Sequence, residues 1–304
     1  MTFAGAITLI GSKLLAFVPL RLIAAVSGPL STLGWWLAKS RRRVALTNLR
    51  LCFPEKSDAE REAIARGHFR AYVQAALEHG FLWNASGERI RQYVTLHDEQ
   101  QWRRFREGEQ QRPVEATNHK PVIWLCPHFI GLDACAIRIS VDTSACSIYS
   151  TQSNPDIDRM FLEGRTRFGQ STIIARTEGV KPIVRAMREG LPFYYLPDMD
   201  FGLRDSVFVP FFGVNAATIT GVSRLAKLTG AAVVPVIATQ RPKGAGYDVR
   251  FYPAFDNFPS GDDVADARRV NAFIEDRVRE NTPQYLWTHK RFKTRPPGEA
   301  SLYG

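Results

Sequence analysis

The segment PVIWLCPHFIGLD, residues 121–133, joins a short apolar run to a polar turn. Residues 122–126 carry no charge, which is typical of a strand buried on both faces of a sheet. Pro127 and Gly131 interrupt the run, and Asp133 then lies where a helix can begin. Because a strand, a turn and a helix form the repeating unit of α/β domains, the segment predicts an α/β fold.

Short apolar runs alternate with amphipathic stretches as far as residue 280. The apolar runs predict further strands at residues 145–149, 171–174, 192–196, 232–238 and 247–252. The amphipathic stretches predict helices near residues 156–168, 179–189, 218–228 and 262–280. Upstream, S-D-A-E at residues 57–60 has the form of a capping box, which predicts a helix from there to about Asn84.

Two groups suited to acid–base chemistry, His128 and Asp133, follow the first of these strands. Ligands of α/β sheets usually bind at the carboxyl ends of strands. In one continuous helix these side chains would diverge by roughly 140°. We therefore expect Pro127 and Gly131 to bend the segment until Asp133 accepts the imidazole N–H of His128, which leaves the other ring nitrogen to take a proton from a substrate hydroxyl. The competing interpretation is a helix-capping Asp133 beside an unrelated loop histidine.

The N-terminal part of the chain is basic and apolar, with no acidic residue before Glu55. Residues 22–38 are uncharged, end near Trp35 and Trp36, and precede a basic cluster, which is the order of an apolar anchor, an aromatic belt and a cytoplasmic flank. Their length is at the short limit for a span, so a transmembrane helix and an interfacial helix both fit. A buried first helix of a soluble domain is the alternative. A cleavable signal peptide is disfavoured because Lys13 falls inside the apolar region.

The composition excludes several classes of protein. A hydrophobic content of 45% predicts a folded chain, and the net charge of +10 calls for an acidic partner such as nucleic acid, anionic lipid, a phosphorylated substrate or an acidic carrier protein. The four cysteines have neither zinc-site nor disulfide spacing, which favours a reducing, cytosol-facing compartment. The sequence has no P-loop, G-x-G-x-x-G, G-x-S-x-G or H-E-x-x-H pattern. We therefore predict no cofactor and no metal.

Three parts are expected along the chain. Residues 1–45 form a membrane-anchoring helical segment, residues 46–120 a helical N-terminal region, and residues 121–304 an α/β core with a basic C-terminal tail. Residues 108–120 are polar, and the sequence predicts no function for them.

Four ordered blocks resemble the glycerolipid and lysophospholipid acyltransferase superfamily. They are H-x-x-x-x-D at residues 128–133, LEGRTRFG with Arg165, PDMDFG at residues 197–202, and V-P-V at residues 234–236. More specifically, NLRLCFPE at residues 48–55, DMDFGLRDSVFVPFFG at residues 198–213 and PQYLWTHKRFKTRP at residues 283–296 resemble the late acyltransferases of lipid A biosynthesis. The resemblance extends from about residue 35 to the end of the sequence.

The resemblance implies a glycerolipid-acyltransferase-like αβ sandwich, with a mixed sheet flanked by helices, preceded by the N-terminal membrane-associated segment. It makes His128 the general base and Asp133 its orienting carboxylate. It also predicts that four residues bind or position substrate, with Arg165 holding an anionic group: Arg165, Asp198, Asp200 and Arg204. Where many superfamily members have P-E-G-T, this chain has aspartates, which suits the lipid A branch.

The implied reaction moves an acyl chain from acyl carrier protein to a hydroxyl of a Kdo-modified lipid A precursor. The implied location is the cytoplasmic face of the inner membrane, among its lipids. The alternative acceptors are a lyso-phospholipid and an ornithine lipid. An alternative of another class is a catalytically inactive basic protein that binds membranes. Nucleic acid is disfavoured as a partner because the sequence has no helix-turn-helix or RNA-binding pattern.

Overall fold

The computed structural model describes residues 10–105, 120–169 and 171–303. The strands are β1 (Val94–His97), β2 (Val122–Leu125), β3 (Ala145–Tyr149), β4 (Ser171–Ala175), β5 (Phe193–Tyr195), β6 (Ser206–Phe211), β7 (Val214–Ile219), β8 (Ala232–Gln240) and β9 (Tyr247–Phe251). The helices are α1 (Leu20–Leu37), α2 (Lys39–Cys52), α3 (Asp58–Asn84), α4 (Gly87–Tyr93), α5 (Gln100–Arg103), α6 (Leu132–Ser140), α7 (Pro155–Thr166), α8 (Lys181–Arg188), α9 (Gly221–Thr229) and α10 (Asp263–Glu280). Residues 106–119, which include most of the stretch for which the sequence predicts no function, lie outside the described residues.

In the described part of the chain, seven strands form one mixed sheet with the order β1-β9-β8-β2-β5-β3-β4. Strands β8 and β9 are antiparallel, and every other neighbouring pair is parallel. Alternate residues of β2 belong to two apolar cores, Ile123 and Leu125 to one and Val122 and Trp124 to the other. The sheet is thus buried on both faces between helices, which confirms the predicted α/β class with a mixed sheet.

The strands predicted from apolar runs are confirmed to within two residues at each end. The helix predicted from the capping box is also confirmed: the Ser57 hydroxyl accepts the backbone N–H of Glu60, and the Glu60 carboxylate accepts the backbone N–H of Ser57. Strand β1 was not predicted. It lies inside the region expected to be helical, residues 46–120, and it joins the sheet by pairing with β9.

The hairpin of β6 and β7 was also not predicted, and a helix was expected from residue 218. The strands pair from Ser206 opposite Ile219 to Phe211 opposite Val214. The turn between them consists of Phe212 and Gly213, both with positive φ. Two-residue hairpin turns of this kind usually carry Asn-Gly or Asp-Gly. Because Phe occupies the first position, the sequence lacks the usual signal for the turn.

Helix α1 packs on α3 with one face only. Buried residues recur along that face at Ile23, Ser27, Ser31 and Trp35. The opposite face leaves large apolar side chains exposed: Leu22, Val26, Leu30, Leu33, Trp36 and Leu37. No helix in the described residues has both the length and the apolar character needed to cross a bilayer. The membrane-anchoring role of residues 1–45 stays a prediction.

Candidate active site

Parallel neighbours β2 and β5 end beside each other and place the polar groups of the site. Leu125 is in register with Tyr195, and the backbone N–H of Cys126 donates to the Tyr195 carbonyl at 2.8 Å. His128 follows Leu125 by three residues, and Asp198 follows Tyr195 by three residues. The equal offsets bring His128 and Asp198 together at the carboxyl edge of the sheet, where α/β proteins hold their ligands.

The imidazole of His128 is held by Asp198. Nδ1 of His128 lies 2.7 Å from Oδ1 of Asp198, and the backbone N–H of His128 donates to the same carboxylate at 3.0 and 3.2 Å. Asp198 is only 2% exposed. An ionised carboxylate accepts the Nδ1 proton and so fixes the tautomer. Nε2 of His128 then carries a lone pair, and it has no hydrogen-bond partner among the described residues.

Burial and pairing act in opposite directions on Asp198. Burial alone would raise the pKa of this carboxyl, but the charge of His128 and the hydrogen bonds from its ring and its backbone N–H bring the pKa below its ordinary value. Asp198 is therefore ionised near neutral pH. A negative charge beside Nδ1 stabilises an imidazolium if Nε2 takes up a proton.

The sequence predicts that Asp133 accepts a hydrogen bond from His128, and this prediction is wrong. Its Oδ2 lies 3.1 Å from Nε2 of His79, and its Oδ1 accepts from Nε and Nη2 of Arg165 at 3.0 and 2.8 Å. Gly131 does not turn the chain back. It allows the turn to pack on β8, because a Cβ there would lie 2.7 Å from the carbonyl oxygen of Ala238.

The position of Asp133 in its helix explains the difference. It lies in the first turn of α6, from which its side chain meets His79 of α3 and Arg165 of α7. Burial would raise the pKa of Asp133, but Arg165 and His79 lower it well below its ordinary value. Asp133 is thus the anionic centre of a partly buried cluster with His79 and Arg165. Its catalytic role stays a prediction.

Arg165 has Asp133 as its ion-pair partner, at 2.8 Å. Its guanidinium also lies 5.2 Å from the ring centroid of Phe161. The nearby Arg167 donates to the carbonyl oxygens of Leu82 and Ala85 at the end of α3. Of the two arginines, Arg165 lines the cavity described below, whereas Arg167 is absent from its lining.

Asp200 and Arg204, the other predicted substrate-binding residues, lie in different surroundings. The Asp200 carboxylate accepts from the backbone N–H and the hydroxyl of Thr294, both at 2.7 Å, and Asp200 is buried. Its acceptors are therefore engaged by the C-terminal tail, which argues against direct contact with substrate. Arg204 is exposed on the rim of the cavity, 3.6 Å from the carboxylate of Asp205, and it stays a predicted binding residue.

Part of the basic C-terminal tail is buried behind the site. Arg291 is 3% exposed and donates to the Ala217 carbonyl and the Thr218 hydroxyl. Burial lowers the pKa of His289 to about 4, so its neutral Nε2 accepts the backbone N–H of Asp200 at 3.1 Å. The sequence did not identify His79 or His289 as site residues. The family-like tail was the only signal for His289.

The backbone of the His128 turn is also fixed by this tail. The carbonyl of His128 accepts the N–H of Leu286 at 2.9 Å, and the N–H of Ile130 donates to Gln284 at 2.8 Å. Phe129 forms an isolated bridge with Tyr285. The turn that carries His128 is thus held on both sides, by Asp198 and by residues 284–286.

A cavity of about 960 Å³ opens beside these groups. His128, Asp133 and Arg165 supply polar lining. Most of the remaining lining is apolar: Leu132, Ala136, Ile139, Ile148, Ile183, Leu196, Ile219, Leu225 and Leu228. A concave, mostly apolar site with a few convergent polar groups is the usual form of a small-molecule binding pocket.

The site thus combines a histidine whose Nε2 has no partner among the described residues, a buried carboxylate that orients the ring, and an adjoining apolar cavity on an α/β sheet. The chain belongs to the bacterial lipid A biosynthesis acyltransferase family, whose model matches residues 1–294. The protein is therefore an acyltransferase, and the predicted family is confirmed.

Characterised relatives cover most of the chain. The lipid A biosynthesis myristoyltransferase of Escherichia coli (strain K12) is 37% identical over 268 residues, 88% of this chain and 80% of the relative. The lipid A biosynthesis lauroyltransferase of the same organism is 31% identical over 287 residues, 94% of this chain and 90% of the relative. A lipid A biosynthesis acyltransferase of Haemophilus influenzae is 33% identical over 293 residues, 94% of this chain and 86% of the relative.

Proposed function

We propose that this acyltransferase moves a fatty acyl chain from the thioester of acyl carrier protein to a hydroxyl of a Kdo-modified lipid A precursor. The single observation that carries the proposal is the His128 imidazole, which Asp198 orients at 2.7 Å while Nε2 stays free beside an apolar cavity. The acyl carrier protein, the Kdo-modified acceptor and the role of His128 are inferences from this geometry and from the family.

In the proposed reaction, Nε2 of His128 takes the proton of the acceptor hydroxyl as its oxygen attacks the thioester carbonyl. The carbon–sulfur bond of the resulting tetrahedral intermediate breaks, and the thiolate of the carrier takes the proton back from the imidazolium. The products are an ester and a free carrier thiol, so atoms and charge balance. Asp198 lowers the energy of the imidazolium stage, and no covalent acyl-enzyme is needed.

The cavity suits the acyl chain, and Arg165 suits a phosphate group of a substrate. The apolar lining suits an acyl chain, whose burial is favourable by about 0.8 kcal/mol for each CH₂ group. Arg165 lines the same cavity as His128, and it retains donors that are not used in its ion pair with Asp133. A planar guanidinium binds two oxygens of a phosphate at once, and the lipid acceptor and the pantetheine arm of the donor both carry phosphate.

The proposed location is the cytoplasmic face of the inner membrane, among its lipids. The support is the exposed apolar face of α1 and the basic residues at its two ends: Arg21 at one end, and Lys39, Arg41, Arg42 and Arg43 after the other. A helix with one apolar face and a basic border binds the interface of an anionic bilayer.

The decisive experiment incubates the purified protein with acyl carrier protein that bears a labelled acyl chain and with a Kdo-modified lipid A precursor. Mass spectrometry then follows the acceptor. A mass gain of one acyl unit supports the proposal, and its loss in His128→Ala supports the proposed base. Parallel reactions with a lyso-phospholipid and an ornithine lipid test the other acceptors. Acylation of one of those lipids in place of the lipid A precursor would overturn the proposed acceptor.

A further inference from the structure

Large apolar side chains remain exposed in few places outside α1 and the residues before it. In the described residues that follow α1, the exposed large apolar side chains are Tyr72, Val180, Phe201, Leu203, Leu228 and Val264. Three of the six, Val180, Phe201 and Leu228, line the active-site cavity, and Leu203 precedes Arg204, which lines it too. We name Val180, Phe201, Leu203 and Leu228 the mouth patch.

The mouth patch is assembled from three separate parts of the chain. Val180 precedes α8, Phe201 and Leu203 lie between β5 and β6, and Leu228 belongs to the last turn of α9. Leu203 is 62% exposed and Leu228 54% exposed. Convergence of exposed apolar groups at one opening is uncommon on a surface that faces only water, and such patches usually mark a binding surface.

Arginines surround the mouth patch. The guanidinium of Arg176 lies 4.2 Å from the ring centroid of Phe201, Arg204 is almost fully exposed, and Arg224 is more than half exposed. The neighbouring acid on the rim, Asp205, already forms ion pairs with Arg204 and Arg224. The rim therefore offers apolar tips between cations, which is the surface that an anionic bilayer interface attracts.

We propose that the mouth patch inserts into the interface of an anionic bilayer, so that the lipid acceptor enters the cavity directly from the membrane. The second half of this inference rests on the proposed lipid acceptor, whereas insertion does not. A membrane suits the patch better than an acidic protein does. Leu203 and Leu228 are uncharged, so an acidic surface does not attract them, whereas transfer of their side chains to an apolar environment is favourable. This contact is additional to the one proposed for α1.

The first test reports insertion without any activity. The four native cysteines are all buried, so a maleimide dye whose emission depends on polarity labels Leu203→Cys selectively. Val264→Cys is a stringent control, because Val264 is a half-exposed apolar residue of α10 that does not line the cavity, and the preceding Asp263 lies 3.9 Å from Arg224 of the rim. With vesicles of phosphatidylglycerol and phosphatidylcholine, we expect emission from position 203 to rise several-fold and shift to the blue, while position 264 stays unchanged.

The same labelled proteins give the outcomes that overturn the inference. Equal responses at positions 203 and 264, on vesicles that the protein cosediments with, would show that the mouth does not insert. A response at position 203 to acyl carrier protein without vesicles, and none to vesicles, would make the patch a protein-docking surface and the inference wrong. Vesicles of phosphatidylcholine alone should give a weaker response, because the arginines of the rim then lack anionic partners.

The second test compares transfer to the acceptor in vesicles and in detergent micelles. Leu203→Asp should raise the KM for the vesicle-bound acceptor about tenfold, the loss expected when one leucine no longer inserts. It should leave transfer in micelles close to that of the unmodified protein, and Val264→Asp should change neither. Equal loss in vesicles and micelles would contradict the inference. If the unmodified protein transfers no acyl chain in either medium, the proposed function fails while the dye experiment still decides insertion.

Discussion

At the residue scale, the proton chemistry depends on which carboxylate holds His128. Asp198 accepts both the Nδ1 proton and the backbone N–H of His128. An amide at this position has one acceptor oxygen instead of two, and its NH₂ group favours the wrong tautomer. We expect Asp198→Asn to lower kcat by about 10² or more, in the range typical of a lost base. Steady-state kinetics and thermal unfolding of the purified variant measure the effect and its structural cost.

A matched pair of variants makes this prediction specific. His128→Ala should lower kcat by about 10² to 10⁴, and the double variant with Asp198→Asn should be hardly slower than His128→Ala alone, because Asp198 acts through His128. If the two losses multiply instead, Asp198 has a role of its own and the shared role is wrong.

Arg165 offers a second test at this scale. Arg165→Lys keeps the charge and can keep a contact with Asp133, but it loses the planar pair of donors. We expect the KM of one substrate to rise about tenfold, with a smaller change in kcat, because phosphate recognition loses one charge-assisted hydrogen bond. Kinetics with donor and acceptor varied in turn identify the substrate.

The natural control is Arg167→Lys. Arg167 donates to backbone carbonyls at the end of α3, so its replacement should lower stability without changing either KM. A lower melting temperature and unchanged KM for Arg165→Lys as well would mean that Arg165 only joins α6 to α7 through Asp133.

The choice between Asp133 and Asp198 also shows what a sequence can predict at this scale. The sequence contains both aspartates and both proline turns, LCPH after β2 and LPD after β5. The equal spacing of His128 and Asp198 from their strands is visible in those letters. Their contact depends on β2 and β5 being parallel neighbours in register, which requires pairing between strands about 70 residues apart and has no local signal.

At the element scale, substitutions on the exposed face of α1 test membrane binding separately from packing on α3. Replacing Leu22, Leu30 and Leu33 by glutamine removes exposed apolar surface but leaves the face on α3 intact. Each leucine that enters a bilayer contributes about 1.5 kcal/mol or more. We therefore expect the membrane partition coefficient to fall by about 10³ or more, measured by flotation with anionic vesicles.

The control for α1 replaces the same three leucines by methionine, which keeps the apolar character and should keep membrane binding. Undiminished flotation of the glutamine variant would show that α1 is not the main anchor. Deletion of residues 1–38 would be a less specific test, because it would also expose the surface of α3 on which Ile23 and Trp35 pack.

Elements differ in how clearly the sequence marks them. The long buried strand β8 and the capped helix α3 carry strong patterns, an apolar run in one and a capping box in the other. Strand β1 has only four residues, and its stability comes from pairing with β9. The turn at Phe212 adopts a conformation that its residue type does not favour, and Phe212 packs on Phe53 from a distant part of the chain. Tertiary contacts therefore decide the elements that the sequence missed.

At the scale of the whole molecule, stability should fall on mild acidification. Burial lowers the pKa of His68 and of His289 to about 4 in the folded chain. In the unfolded chain the ordinary value is about 6.5, so below that pH the unfolded chain binds protons that the folded chain does not. For the fully buried His68 this amounts to about 2 kcal/mol between pH 7 and pH 5. Urea unfolding at the two pH values measures it.

Other carboxyl groups with shifted pKa values also change the dependence of stability on pH. The lowered pKa values of Asp133 and Asp198 add stability that is lost only when the pH falls below the ordinary range of a carboxyl. Burial raises the pKa of Glu78, which opposes the histidines as the pH falls. His68→Gln removes one titrating group and can retain the donor to the Pro283 carbonyl. A pH dependence that is unchanged in this variant would contradict the role of His68.

The tail at residues 284–294 has a consequence for how the enzyme is made in the cell. A ribosome releases β2 and β5 long before it synthesises Gln284, Leu286 and Thr294, which hold the His128 turn and Asp200. The nascent chain can thus form much of its sheet while the turn that carries the imidazole still lacks its outer contacts. Translation past residue 294 completes the site, because only then can the tail add its contacts to the one that His128 makes with Asp198.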